Sequence, residues 1–402
     1  MNRSISMSST PKEETAFRVS AALIVVVALS LSVAPLFRDF QAAEAHGPAR
    51  RESSASLNTQ PPARNVELIS RLDGTIRAVA VQGNYAYIGD GKRLVILDVS
   101  DPTTPAVVGE TDPLPGVVQD VAVVGNYAYI ADDWEGLRII DVSNPASPME
   151  AGSYTGIGEA EEVAVAGNYV YVAADWSGLR IIDVSDPANP REAGFYITPG
   201  LARGVAVAGD TAYVADDGRG LRVVDVSDRG NPAEVGFYEE MPGWAYGVAV
   251  TGNHAYVAAF GAGLRIIDIS DLTNLREAGF YDTPGRAEAV AVAGSHAYVA
   301  DGDAGLRVVD ISNPVAPREA GYYEMPGYAV RVAVAGDIVY VADWNGGLFI
   351  LRFTVASPTL TATPTSTASP TPTATVTPTA TATPTPAGPS YRTYLPLTLR
   401  NR

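Results

Sequence analysis

The chain has 402 residues, a formal net charge of −17 and no cysteine, and Lys12 and Lys92 are its only lysines. Without cysteine it can form no disulfide, thiolate metal centre or thiol nucleophile. An acidic balance with no cluster of Lys and Arg excludes a phosphate-backbone binder and disfavours anionic membrane surfaces.

Arg3, Lys12 and Arg18 precede an apolar run at 19–37, and the small-x-small pattern Ala43-Glu44-Ala45 follows. Residues 1–45 therefore read as a secretory signal peptide cut after Ala45, which places the rest outside the cytoplasm. The run is long for a signal, so an uncleaved N-terminal anchor is the alternative. Pro35 and the cleavage pattern favour removal. Residues 46–63 read as a linker. The stretch 64–74 then looks like an orphan strand, Glu67 to Leu72, with its turn.

From there one phrase recurs. "AVAVQGNYAYIGD" returns six more times, with marker glycines Gly83, Gly125, Gly167, Gly209, Gly252, Gly294 and Gly336 spaced 42, 42, 42, 43, 42 and 42 residues apart. A fixed period of this size signals a solenoid, propeller or array. The third copy shows what one unit builds. Its runs Glu162 to Ala166, Tyr169 to Ala173, Leu179 to Val184 and Arg191 to Tyr196 are strand-length and bounded by turn residues. Gly167-Asn168 suits a tight hairpin, because both residue types tolerate positive φ. No helical period is visible. Leu179 and Ile181 face one way and Ile182 and Val184 the other, so each four-stranded sheet needs cover on both sides. A ring of sheets packed face to face supplies it.

The seventh copy stops after its third strand, at "GGLFILRF", which leaves the orphan strand to complete it. Pairing chain start with chain end removes both free edges. An open stack would instead need polar capping repeats, and none is visible. The expected fold is thus all-β, a seven-bladed β-propeller of four-stranded antiparallel blades over 64–355, closed by an N-terminal strand and expected to be monomeric.

Residues 356–390 are almost entirely Thr, Pro, Ala and Ser, without charge or aromatics, and cannot build a core. Proline density makes this an extended spacer, at about 3.1 Å per residue, whose hydroxyls could carry O-linked sugars. The tail 391–402 is short, apolar and basic at its end. It resembles the endings of Thr/Pro stalks on exported bacterial proteins, and reads either as a sorting or attachment signal or as a disordered terminus.

The repeat body, with "YVAD…GLRIIDVSDPANP", resembles the LVIVD repeat family of exported bacterial and archaeal proteins over about 66–353. The resemblance implies a β-propeller and no particular activity, so no site residue is carried over. The copies lack the Gly-His and Trp-Asp pairs of WD40 repeats and the tryptophan motif of quinoprotein propellers.

Function is expected in loops that differ between copies. Turns joining the second and third strands share a face with the connections between blades. This face collects all four tryptophans (Trp134, Trp176, Trp244, Trp344), Phe260, and the aspartates Asp132, Asp133, Asp175, Asp216, Asp217, Asp301, Asp303 and Asp343. Rings that stack on a pyranose, beside carboxylates that accept its hydroxyls, suit a polysaccharide. They suit a protein partner equally. The bland reading makes each Asp a turn cap and each Trp a packing residue. Calcium at Asp132-Asp133, Asp216-Asp217 or Asp301-x-Asp303 is an option without the closing Glu of a twelve-residue calcium loop.

Arg77, Gln119, Asp120, Glu161, Glu162, Arg203, Tyr246, Glu288 and Arg331 are expected near the channel mouth, either holding a small polar ligand or neutralising one another. His254 and His296 replace residues such as Tyr169 at a hairpin, so no three-histidine zinc site can form. The recurrent Asp98, Asp141, Asp183, Asp225, Asp268 and Asp310 argue for a structural role.

The resulting expectation is a non-enzymatic secreted or cell-surface protein that binds protein or polysaccharide at the cell envelope through the Trp/Asp face. It has no catalytic residues, no resident metal and no nucleic-acid partner, and its propeller does not insert in the membrane. The alternative is an extracellular glycan hydrolase or lyase using Asp132 and Asp217 as acid and base. Loops of five or six residues favour binding over a deep cleft.

Overall fold

The computed structural model describes residues 61–354. The expected signal peptide, nearly all of the linker, the stalk and the tail lie outside the described residues. Within them the chain is all-β: seven sheets form a closed β-propeller, each of at least four antiparallel strands. Each innermost strand touches that of the next blade, and the seventh (Ala329–Ala335) touches the first (Ile76–Gln82).

Blade 3 shows the local causes. Its strands are Glu162–Ala166, Tyr169–Ala173, Leu179–Asp183 and Arg191–Tyr196. The first hairpin pairs Ala166 with Tyr169 across a two-residue turn. Only Gly167 takes positive φ, at 61°; Asn168 does not, so one permissive residue suffices. After the third strand Asp183 accepts the Ser185 N–H at 2.9 Å, an Asx turn that holds its carboxyl below the ordinary range. The same bond recurs at Asp98, Asp141, Asp225, Asp268 and Asp310. This is the structural role that their recurrence implies.

The two-sided apolar pattern is used as expected. Leu179 and Ile181 pack toward blade 4, against Val205, Val214 and Val224. Ile182 and Val184 pack toward blade 2, against Tyr129, Leu137 and Ile139. Each such fully buried side chain contributes about 1.5–3 kcal/mol.

The fourth strand carries a device absent from the sequence reading. Gly194 faces the next blade so closely that a Cβ there would lie 2.1 Å from the Arg229 carbonyl oxygen. Gly109, Gly152, Gly236, Gly279 and Gly321 make the same approach to a neighbouring backbone. Within each of blades 3 to 6 an ion pair and a stacked ring join the third and fourth strands. Arg180, Arg222, Arg265 and Arg307 pair with Glu192, Glu234, Glu277 and Glu319. Each also stacks on an outer ring: Phe195, Phe237, Phe280 or Tyr322.

The ring closes as the repeat count requires. Val66–Leu72 pairs with Gly347–Phe353, from Val66 opposite Phe353 to Leu72 opposite Leu348. A further strand, Ala63–Arg64, adds a fifth member to blade 6 by pairing with Tyr322 and Tyr323. The expected linker therefore loses its last residue to the propeller. Among the described residues no helix is long and apolar enough to cross a membrane.

Candidate functional site

Five isolated bridges define the loop face: Asp133 with Ala160, Asp175 with Ala202, Asp217 with Ala245, Phe260 with Ala287, and Gly302 with Ala329. Each ties the second turn of one blade to the connection entering the next. The two loop sets thus share one face, as expected. The bridging residue on the turn side takes left-handed φ, 44–54°, whether it is Asp, Phe or Gly. Aspartate tolerates this region; Phe260, at 45°, is an outlier for a bulky side chain.

The connections follow a pattern, Pro-Gly-x-Ala-x-x, best seen in "PGWAYG" at 242–247 and "PGYAVR" at 326–331. The alanine bridges in blades 3 to 7, with Ile76 and Val118 in its place in blades 1 and 2, and the residues around it vary between copies. The first variable position holds Thr75, Val117, Glu159, Leu201, Trp244, Arg286 and Tyr328, and the second Arg77, Gln119, Glu161, Arg203, Tyr246, Glu288 and Val330. The third is small in four blades (Ala78, Gly204, Gly247, Ala289) and charged in three (Asp120, Glu162, Arg331).

That asymmetry closes the channel. The Arg331 side chain crosses from blade 7 to blades 2 and 3, where it lies 3.5 Å from Asp120 and 3.6 Å from Glu162 and donates to the Glu161 carbonyl at 3.1 Å. Asp120 and Glu162 also accept backbone N–H groups of Val163 and Val205. Burial pushes Glu162 up to about 8, with Arg331 pulling it down and Asp120 adding to the rise. The triad makes a floor, and above it opens a funnel of about 700 Å³.

The funnel has two unlike halves. On blades 5 to 7 and 1 its wall is aromatic and basic. Trp244 stacks on Phe260 with ring centroids 5.3 Å apart, and Tyr246 meets Phe260 at 4.9 Å. Arg286 lies over Phe260, and Arg77 lies 4.1 Å from the Trp344 ring centroid. Tyr328 donates to Glu288. On blades 2 to 4 the lining is Gln119, Glu161 and Arg203, and Glu159, Asp133 and Asp175 add negative charge around Glu161. Burial, then repulsion from Glu161, Asp175 and Asp133, pushes Glu159 up to about 7. Arg203 pairs with Glu161 and lies 3.6 Å from Asp175.

The expected site residues are therefore divided. Trp244 and Trp344 line the funnel. Trp134 and Trp176 stand outside it on blades 2 and 3, 65% and 75% exposed. Asp133, Asp175 and Asp217 occupy the left-handed bridging positions. Asp132, Asp216 and Asp343 lie beneath the face, fully buried. Asp132 accepts from Gly116 N–H at 3.2 Å and Arg138 at 3.1 Å, and Asp216 from Gly200 N–H at 2.9 Å. Asp343 accepts the N–H groups of Gly327, Tyr328 and Gly346. These three are braces of the Pro-Gly turns and offer no atom to a ligand. Asp132 is thereby removed from any acid–base pair with Asp217. Asp301 braces Gly285 in the same way. Among the described residues no three acidic or histidine side chains converge on a metal position.

A family model for the LVIVD repeat matches residues 73–112, 115–156, 157–198, 199–240, 242–283, 284–325 and 326–351. The chain belongs to the LVIVD repeat family. Each matched segment holds one full blade, except the last, which lacks the strand that Val66–Leu72 supplies. No curated protein matches this LVIVD chain. Solved structures match its fold. The computationally designed Ika8 protein is 10% identical, with 71% of this chain and 99% of that one covered and a TM-score of 0.53. The Cps50 (Swd1) β-propeller domain of Myceliophteria thermophila is 12% identical over 70% and 97%, with a TM-score of 0.59. A chain of a mitotic checkpoint complex is 12% identical over 77% and 96%, also at 0.59. At these identities the likeness of the LVIVD propeller to them is one of fold.

Proposed function

We propose that this LVIVD propeller is a non-enzymatic binding protein, displayed outside the cell, that takes a polysaccharide at the funnel of its loop face. One observation carries the reading: the positions at which otherwise uniform copies differ most converge on a single cavity. A repeat needs neither Trp244 nor Arg77 to fold, since Leu201 and Gln119 serve at the equivalent positions. Aromatic faces beside carboxylate acceptors match a sugar ring. The exposed Trp134 and Trp176 on the acidic side give a longer chain further rings to stack on. The N-terminal apolar run and the Thr/Pro stalk support display at the cell surface. The burial of Asp132 and the shortness of the loops support binding without hydrolysis.

A glycan array probed with the full protein, and repeated with Trp244→Ala and Tyr328→Ala, tests the site. Binding that survives both substitutions moves it off the funnel. New reducing ends in the bound glycan would overturn the non-enzymatic reading.

A further inference from the structure

Four guanidiniums line the funnel of this acidic protein: Arg77, Arg203, Arg286 and Arg331. Two are neutralised by the chain. Arg203 has Glu161 and Asp175, and Arg331 has Asp120 and Glu162. Arg77 is different. Its partners among the described residues are neutral: it donates to Gln119 Oε1 at 2.9 Å and lies against the Trp344 ring. Burial holds its pKa below the ordinary value, with Asp133 and Glu161 too remote for contact pulling the other way. A partly buried cation that lacks a contacting carboxylate carries a desolvation cost that a ligand anion would offset.

The aromatic rings narrow the class of guest. Trp344, Phe260 and Tyr246 each already carry a guanidinium of the chain, from Arg77, Arg286 and Arg203. A cationic guest would meet these charges at three of the rings, which disfavours a cation cage. Trp244 offers an exposed face, and Glu161, Glu288 and Asp303 stand ready to accept hydroxyl hydrogens. An acidic peptide would bring carboxylates against those three without hydroxyls to satisfy them. A pyranose acid brings one carboxylate, several hydroxyl donors and an apolar ring face, and the funnel volume of about 700 Å³ is in the range of small-ligand sites.

We propose that the funnel is a subsite for a sugar acid, a uronate residue, whose carboxylate is held by Arg77 on its Trp344 platform while its ring stacks on the aromatic wall. This rests on the funnel being the binding site and names what it selects. The free monosaccharide and the terminal residue of a polysaccharide share this chemistry.

Calorimetric titration of the full chain tests it. The probes are galacturonate, trigalacturonate, the carboxyl-reduced trisaccharide and a tri-glutamate peptide. Trigalacturonate is expected to bind at least about 10-fold more tightly than its carboxyl-reduced form, because a charge-assisted pair is lost. Arg77→Met should weaken it roughly 10- to 100-fold and erase the preference over the reduced sugar, with Arg77→Lys between. Thermal melts of both variants control for folding. Binding of free galacturonate within about 10-fold of the trimer would make one residue the determinant; a larger gap would make it the end of a chain. Equal affinity for the acidic and reduced trisaccharides would overturn the carboxylate assignment while leaving the funnel a sugar site. Preference for the peptide would overturn the sugar acid in favour of an acidic protein. No binding of any probe would overturn the proposal, and the array with Trp244→Ala and Tyr328→Ala separately decides whether the funnel binds at all.

Discussion

Two carboxyls around the funnel carry pH dependence of opposite visibility. Glu159 is half-buried, and its pKa of about 7 lies above the 4.5 of the unfolded chain. The unfolded state therefore releases the proton first, and stability falls as pH rises from about 4.5 to 7. Glu159→Gln should leave the melting temperature unchanged at about pH 3.5, below that window, and raise it at pH 7.5 by about 1–3 °C, discounted for solvent screening. An unchanged melt at pH 7.5 would contradict the crowding of Glu159 by Glu161, Asp175 and Asp133. Glu162 is deeper, and its partner decides its behaviour. Arg331→Met leaves Asp120 and Glu162 facing one another without a cation, at a cost of about 3–5 kcal/mol. The loss should be smaller at pH 5 than at pH 8, because at pH 5 the carboxyls can take up protons. A denaturant titration at each pH reads it. Sequence reasoning reached Asp120, Glu162 and Arg331 within a group around the channel mouth, but not Glu159. It did not reach Arg331 as the bridge, since the crossing depends on Ala78, Gly204, Gly247 and Ala289 leaving the axis open. Nor did it separate Asp132 from Asp133. Adjacent identical side chains take opposite roles because one points down to a Pro-Gly turn and its neighbour sits at left-handed φ on the rim.

At the level of the strand, spacing and alternation were legible because they are properties of the repeat. The four runs of the third copy fall on the four strands of blade 3 within one residue. The fourth-strand glycine was not, because its reason lies in another blade. Gly194 has no need of positive φ; it is small so that the Arg229 carbonyl of blade 4 can approach. Gly194→Ala should therefore cost about 1–3 kcal/mol by overpacking against backbone that cannot move aside. Substitution of Gly230, where a Cβ meets nothing closer than 3.4 Å, should cost less. Chemical denaturation of both variants compares them, and equal losses would contradict the close approach. The funnel pattern was also within reach of the sequence. Aligning the seven copies shows the columns flanking the bridging alanine changing while the strands persist, which would have pointed to Arg286 and Tyr328.

The whole molecule depends on one non-local closure. Val66–Leu72 covers an edge that would otherwise expose Leu348 and Ile350, and Ala63–Arg64 staples the same segment to blade 6. Removing this strand leaves blade 7 with three strands and Gly347–Phe353 unpaired on its outer side, and it cuts the chain connection from blade 7 to blade 1. Deletion through Asp73 should lower the melting midpoint by at least about 10 °C and replace the single transition with a broad one. A calorimetric scan measures this, and a sharp transition at the parent temperature would show that closure is dispensable. The same closure places Arg77 of blade 1 against Trp344 of blade 7, so the funnel exists only in the complete ring. Residues far apart in sequence thus form one wall, which is why the chain order alone suggested a broad Trp/Asp face in place of a cavity. The most direct measurement is a crystal structure of the protein soaked with trigalacturonate. The account predicts a sugar ring in the funnel between Trp244 and Trp344, with its carboxylate on Arg77. A sugar bound only at Trp134 and Trp176, a sugar on the opposite face, or an empty funnel at saturating ligand would contradict it.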